Sequence, residues 1–182
     1  MKAIYEIFLD SSKELKKVKN LVLASLLIAV HLLLDLFTIQ ILPTLHLSFE
    51  FLASSTIGML FGPSIGALCG ALGDIINYIL NPKGAFFPGF TISAVVVGII
   101  YGLVFYKKKV TILRCIAAVV LTKLIVDIGL NTVWLAVLYN KAFMVLIGAR
   151  IVKNLIMIPI NVFLMYVVLG AVEKIRLRDI EM

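Results

Sequence analysis

Long apolar runs alternate with short polar connections along nearly the whole chain, and their spacing predicts a set of membrane-crossing helices. A helix rises about 1.5 Å per residue and has about 30 Å of hydrocarbon to cover, so a run near 20 residues is the unit. Such runs fall at 21–42, 47–61, 64–80, 90–106, 111–139 and 142–172. The second and third are short and separated only by Gly62-Pro63, whereas the fifth and sixth are long enough to tilt or protrude, and Pro159 marks a kink in the last. Residues 1–20 read differently. Ser11-Ser12-Lys13-Glu14 has the form of a capping box that starts a helix leading into the first run. Before it, Ile4, Ile7 and Phe8 give a short apolar face suited to a membrane surface. That segment is too long for a signal-peptide n-region, and no small-residue cleavage site follows the apolar run. With no internal repeat and no linker, residues 1–182 are expected to form one membrane domain.

Cations give the orientation. Twelve of the Lys and Arg residues lie before the first run, between the fourth and fifth with Arg114 in the opening turn of the fifth, or after the sixth, while the alternate connections carry only Lys83 and Lys141. The positive-inside rule then puts both ends of the chain in the cytoplasm, in agreement with an even number of crossings. The expected fold is an all-α integral membrane protein with six transmembrane helices and both termini cytoplasmic.

Composition narrows the class. With 62% of residues apolar and 15% charged, and a mean hydropathy of +1.12, the chain cannot be a disulfide scaffold, a disordered segment or an ordinary soluble enzyme. A net charge of +7 would suggest nucleic acid in a soluble domain. Here the cations flank apolar runs, so the lipid bilayer is the expected partner and nucleic acid is not. Cys69 and Cys115 lie in apolar runs without metal-ligand or CxxC spacing and read as buried free thiols.

Beyond Arg114 at the edge of the fifth run, seven ionisable residues besides histidine fall within the runs: Asp35, Glu50, Asp74, Lys123, Asp127, Arg150 and Lys153. Each costs about 2.5–3.5 kcal/mol at a helix centre, so their convergence would mark a functional site. Helical spacing supports convergence. Lys123, Asp127, Asn131 and Trp134 share one face, as do Arg150, Lys153 and Asn154. Gly66, Gly70, Asp74, Asn77 and Tyr78 form a third face that begins small and ends polar. Counted from the outer ends, Asp74 lies about 9 Å deep, Asn131 and Arg150 about 12 Å and Lys153 about 16 Å. The three faces thus describe a pocket opening outward, with Phe86 and Phe87 at its mouth in a turn-rich connection suited to a lid, or else part of an interfacial aromatic belt. Lys123 with Asp127, and His31 with Asp35, are expected to neutralise one another, and Glu50 is close enough to an outer end to snorkel. Arg150 and Lys153, two cations on one face, point to an anionic ligand. Trp134 is placed either to stack on a flat ring or to fill core. No metal site or catalytic residue is expected: GxxxxGK[ST], HExxH and GxSxG are all missing from the sequence. A small ligand-binding membrane protein without a motor needs a partner.

Five motifs in order make the chain similar to a known family. They are Phe61-Gly62-Pro63 with Gly66, Gly70 and Asp74; the stretch from Asn81-Pro82-Lys83 through Phe87-Pro88-Gly89-Phe90-Thr91; Tyr101-Gly102; Asn131-Thr132-Val133-Trp134-Leu135; and Arg150-Ile151-Val152-Lys153-Asn154 with Pro159 beyond. The chain resembles, over nearly its whole length, the substrate-binding S components of energy-coupling factor vitamin transporters, and among them the folate-specific type. The resemblance implies a multi-pass subunit of a prokaryotic plasma membrane that captures folate from outside and has no resident cofactor. It also implies assembly with a transmembrane coupling subunit and two cytoplasmic ATPases. In that family the coupling contact is an Ala-x-x-x-Ala pattern on the first helix, matched here by Ser25 and Ala29 with serine in the first slot. Folate presents a flat pterin, an aminobenzoyl ring and a glutamate. Trp134 and Phe90 are therefore assigned to stacking, Asn131, Asn154, Thr91 and Asp74 to the pterin edge, and Arg150 and Lys153 to the carboxylates. Another anionic or aromatic vitamin, a stand-alone carrier, or an intramembrane enzyme using Asp74, Asp127 and Lys123 remain the competing readings.

Overall fold

The computed structural model describes residues 2–42, 45–82, 86–139 and 143–181. Lys83, Lys141 and Ala142, which entered the orientation and the sixth-run boundary, lie outside the described residues, as do Gly84 and Ala85 of the turn-rich connection. The elements are α1 (Lys2–Glu14), α2 (Val18–Leu36), β1 (Ile39–Leu42), β2 (Leu45–Leu47), α3 (Glu50–Phe61), α4 (Pro63–Leu80), α5 (Pro88–Phe105), α6 (Ile112–Leu121), a π-helical segment (Thr122–Leu130), α7 (Asn131–Tyr139) and α8 (Phe143–Glu181). Among the described residues, four stretches are long and apolar enough to cross a membrane: α2, α4, α5 and Lys153–Arg176 within α8. The chain is thus a predominantly helical, multi-pass membrane protein.

Two sequence expectations change. The first helix stops at Leu36, not at residue 42, because the Thr38 N–H and hydroxyl both turn back to Asp35, at 3.0 Å to its carbonyl and 3.1 Å to its carboxylate. The residues that follow form an antiparallel pair, Ile39 opposite Leu47 and Gln40 opposite His46, so the second helix starts at Glu50 rather than 47. Ile39 and Ile41 favour the extended backbone, and a short apolar run carries no period that separates strand from helix.

The capping box is the second correction. Ser11 and Ser12 end α1 instead of starting a helix. Ser12 donates to the Leu9 carbonyl of its own helix. Ser11, fully buried, caps another one: its hydroxyl donates to Phe61 O (2.7 Å) and accepts from the N–H groups of Ser64 (3.0 Å) and Ile65 (3.3 Å) at the start of α4. Ser64 returns a bond to Phe8 O at 2.8 Å. Gly62, at φ 87°, makes the α3–α4 corner and leaves room for Ser11, since a Cβ there would lie 2.8 Å from the serine's own. Ser11→Ala leaves two helix-start donors and a carbonyl unsatisfied, and is expected to cost about 1–3 kcal/mol. The detergent melting temperature should fall, whereas Ser12→Ala should leave it nearly unchanged.

Lys107 reaches Asp10 of α1 at 2.7 Å, which holds the Asp10 carboxyl below its ordinary range, and Glu173 of α8 accepts from the Val110 N–H at 3.2 Å. The N-terminal helix and the last part of α8 therefore meet at the same connection, residues 106–110, at a basic end of the bundle. Next to that end lies the core: Met59, Tyr101, Phe105, Cys115, Val119, Met165 and Leu169 join α3, α5, α6 and α8. Both cysteines are buried and free.

Small residues set the closest contact. Gly62, Gly66 and Gly70 on α4 and its corner, and Ala94, Gly98 and Gly102 on α5, recur every four residues and face one another antiparallel. A Cβ on Gly66 would lie 2.6 Å from Gly98 O and one on Gly70 2.5 Å from Ala94 O, while one on Gly98 would overlap the Gly66 carbonyl. One turn farther along the same register, Thr91 donates to Asp74 at 2.6 Å.

Candidate functional site

Beyond the glycine contact, at the end opposite the basic connection, the helices part around a cavity of about 760 Å³. That is within the range of about 300–1,000 Å³ usual for small-molecule sites. Its two walls differ in charge. His31 and Asp35 of α2, Glu50 of α3 and Asp74 of α4 line one side; Lys123 and Asp127 of the π segment and Arg150 and Lys153 of α8 line the other. On the acidic side every carboxylate has a hydroxyl donor: Thr38 on Asp35 (3.1 Å), Ser48 on Glu50 (3.1 Å) and Thr91 on Asp74 (2.6 Å). His31 Nδ1 lies 3.2 Å from Ser54 Oγ and Nε2 lies 3.9 Å from Glu50, so the histidine faces α3.

The cationic wall depends on the π segment. Thr122 donates to both Ala118 O and Val119 O at 2.9 Å on entry, and Thr132 donates to Asp127 O at 3.1 Å on exit. Arg150 adds a second donor to that same Asp127 carbonyl at 2.7 Å. Side-chain donors competing for the carbonyls of the helical ladder are a recognised cause of local rewinding, and π segments recur at functional sites. Within it Lys123 Nζ meets Asp127 Oδ2 at 2.7 Å, the expected neutral pair, and Asn131 reaches the other carboxylate oxygen at 3.5 Å. Arg150 Nε has no hydrogen-bond partner among the described residues.

Aromatic rings close the remaining side. Tyr78, Phe86, Phe87 and Phe90 line the cavity, with Tyr78 and Phe86 5.0 Å apart and Phe87 and Phe90 6.0 Å apart, edge to face. Trp134 stands behind Phe87, its ring 5.6 Å away, and donates to Ser93 Oγ at 3.2 Å. Gly89 admits it: a Cβ there would lie 2.6 Å from the indole.

A cavity with a cationic wall, an acidic wall and aromatic sides, inside an apolar bundle, has the chemistry to suit an amphoteric aromatic molecule. Residues 19–169 match the family described as ECF transporter, substrate-specific component. The chain belongs to this family. It is 36% identical over 165 residues to the folate transporter FolT of Clostridium novyi, covering 91% of this chain and 96% of that one. To FolT of Leuconostoc mesenteroides it is 39% identical over 158 residues, 84% and 85% of the two chains. Among solved structures it is similar to the crystal structure of FolT bound with folic acid, with a TM-score of 0.76 at 36% identity over 82% of this chain and 90% of that one.

As an ECF substrate-specific component, the chain is a transporter's substrate-binding part and not an enzyme. Of the eight residues selected for the ligand, Asp74, Phe90, Asn131, Arg150 and Lys153 line the cavity, and Thr91, Trp134 and Asn154 do not. Thr91 holds Asp74, Trp134 braces Phe87, and Asn154 is 3% exposed with its carbonyl oxygen unpartnered among the described residues. Sequence reasoning passed over Asn161, which lines the cavity with its carbonyl oxygen likewise unpartnered. Its spacing of seven from Asn154, two helical turns, was the available signal. Glu50 does not merely snorkel; it faces the cavity from the first turn of α3, where its charge also suits the helix N-terminus.

Proposed function

We propose that this chain is the high-affinity folate-binding membrane subunit of an ECF-type transporter in a prokaryotic plasma membrane. It crosses the bilayer six times with both termini in the cytoplasm, receives folate from outside, and delivers it inward when joined to a transmembrane coupling subunit and two cytoplasmic ATPases. The observation that carries the reading is the charge asymmetry of the cavity. Arg150 and Lys153 offer two cations to the two carboxylates of the glutamate, Arg150 through a planar fork that matches a carboxylate. Asp74, oriented by Thr91, and Asn131 offer hydrogen bonds to the pterin edge, and Phe87 and Phe90 offer aromatic faces. Trp134 contributes by fixing Phe87, while Asn154, on the same helical face as Arg150 and Lys153, is buried outside the cavity lining. The names of the similar proteins support folate as the ligand.

Trp134 is the single tryptophan, so its fluorescence reports on Phe87 and the cavity without a label. Titrating folate into the purified chain in detergent should quench it saturably. Absence of folate binding, with tight binding of a different anionic vitamin, would replace the ligand while keeping the architecture.

Coupling is assigned to α2. Ser25 and Ala29 are exposed one turn apart, and the Ser25 hydroxyl is already satisfied by Leu21 O at 2.9 Å, so this serine presents a small surface with no outward polar demand. Ser25→Trp and Ala29→Trp should preserve folate binding by the isolated subunit and abolish ATP-dependent uptake by the assembled transporter. Loss of binding in a folded variant would put this face in the pocket; undiminished uptake would put the partner on another face.

A further inference from the structure

Four charged groups stand on the cationic wall, and they are not equivalent. The Asp127 carboxylate is taken up by Lys123 at 2.7 Å, with Asn131 on its second oxygen at 3.5 Å. Among the described residues Arg150 hydrogen-bonds to the backbone carbonyl of Asp127, at 2.7 Å, and to no carboxylate. Lys153 lies within coulombic reach of Asp127, Lys123 and Arg150 and, across the cavity, of Glu50, yet makes no hydrogen bond or ion pair with any described residue. Among the described residues, two cations are thus left without a carboxylate bonded to them on that wall, and the third is neutralised.

We infer that Asp127 sets the number of ligand carboxylates the cavity accepts, by engaging Lys123 and leaving two cations, Arg150 and Lys153, for a dianionic tail. The inference rests on the reading of the cavity as a folate site and adds a selectivity to it. A ligand with a third carboxylate, such as a γ-glutamyl-extended folate, finds its extra charge facing a lysine already paired. It must either break the Lys123–Asp127 pair or remain unpaired in a site screened far less than water. At an effective dielectric near 20, one uncompensated charge a few ångströms away changes an ion's affinity by about tenfold or more. Asp127 is on this view a specificity residue that does not itself contact the ligand.

The test compares dissociation constants for folate and for its γ-glutamyl conjugate on the purified full-length chain. The parent should prefer folate by about tenfold or more, and Asp127→Asn, which frees Lys123, should reduce that preference by about tenfold. Asp127→Glu keeps the pair and should retain the parental ratio. A parent that binds both ligands equally, or an Asp127→Asn variant that weakens both by the same factor, would overturn the inference and leave Asp127 as a brace of the π segment. Lys123→Gln provides a second arm should Asp127→Asn fail to fold. It leaves Asp127 unpaired beside the two cations, and should weaken folate by about tenfold more than pteroate, which lacks the glutamate. Equal weakening of the two would equally overturn the proposal. No folate binding by the parent at all is a different outcome, and refutes the functional reading itself.

Discussion

Arg150→Ala should weaken folate binding by well over tenfold, and Lys153→Ala by a comparable factor, while both variants remain folded. Each removes the charge partner of a carboxylate held in a largely desolvated cavity, a loss of about 2–5 kcal/mol. The two should differ in how they are rescued. Arg150 presents a fork, one arm of which rests on the Asp127 carbonyl while Nε has no partner among the described residues. Lysine at that position restores the charge without the planar fork that can hold the Asp127 carbonyl and a carboxylate together, so Arg150→Lys should recover only part of the affinity. Lys153 is a point charge with no protein partner among the described residues, and Lys153→Arg is limited only by room. Affinities read from the quenching of Trp134, with melting temperatures as the control for folding, decide the matter. Parental affinity in both alanine variants would move the ligand's carboxylates elsewhere in the cavity.

Helical period made the polar faces legible. The stripe Lys123–Asp127–Asn131 and the stripe Arg150–Lys153–Asn154 follow from spacing alone, and both emerge on the same wall apart from Asn154. The face from Gly66 to Tyr78 was readable for the same reason, small residues first and polar ones after. What escaped the sequence depends on partners far along the chain. Ser11 caps a helix that begins 52 positions later, which no local motif can announce. The π segment is accompanied by hydroxyl and guanidinium donors on ladder carbonyls, one of them from α8, and such partners leave no mark in the local sequence. Trp134 lies on the right face by spacing, yet its ring turns to Phe87 and Ser93 because Gly89 leaves a place there. The β pair of 39–42 with 45–47 was lost to a different ambiguity, since a strand of four residues, three of them apolar, fits the end of a helix equally well.

Gly98→Leu should abolish folate binding through packing alone, at a position that touches no ligand. Even a single Cβ at Gly98 overlaps the Gly66 carbonyl, and backbone cannot rotate away as a side chain can. The helices must separate. Overpacking of this kind typically costs about 1–3 kcal/mol where neighbours can adjust, and more is expected here, where the obstacle is another helix's main chain. Separation also acts at a distance, because α4 and α5 are rigid rods in one antiparallel register. Gly66 faces Gly98, Gly70 faces Ala94, and the next step is the 2.6 Å bond between Asp74 and Thr91 at the cavity wall. A rod displaced at the first step carries Asp74 away from Thr91 at the last. Gly170→Ala is the matched control: nothing lies within 4 Å of a Cβ there, so it should leave binding unchanged and raise stability slightly through helix propensity. Should Gly98→Leu melt at the parental temperature and still bind folate, the α4–α5 contact is not what places Asp74, and the wall must be held from α2 and α3 instead.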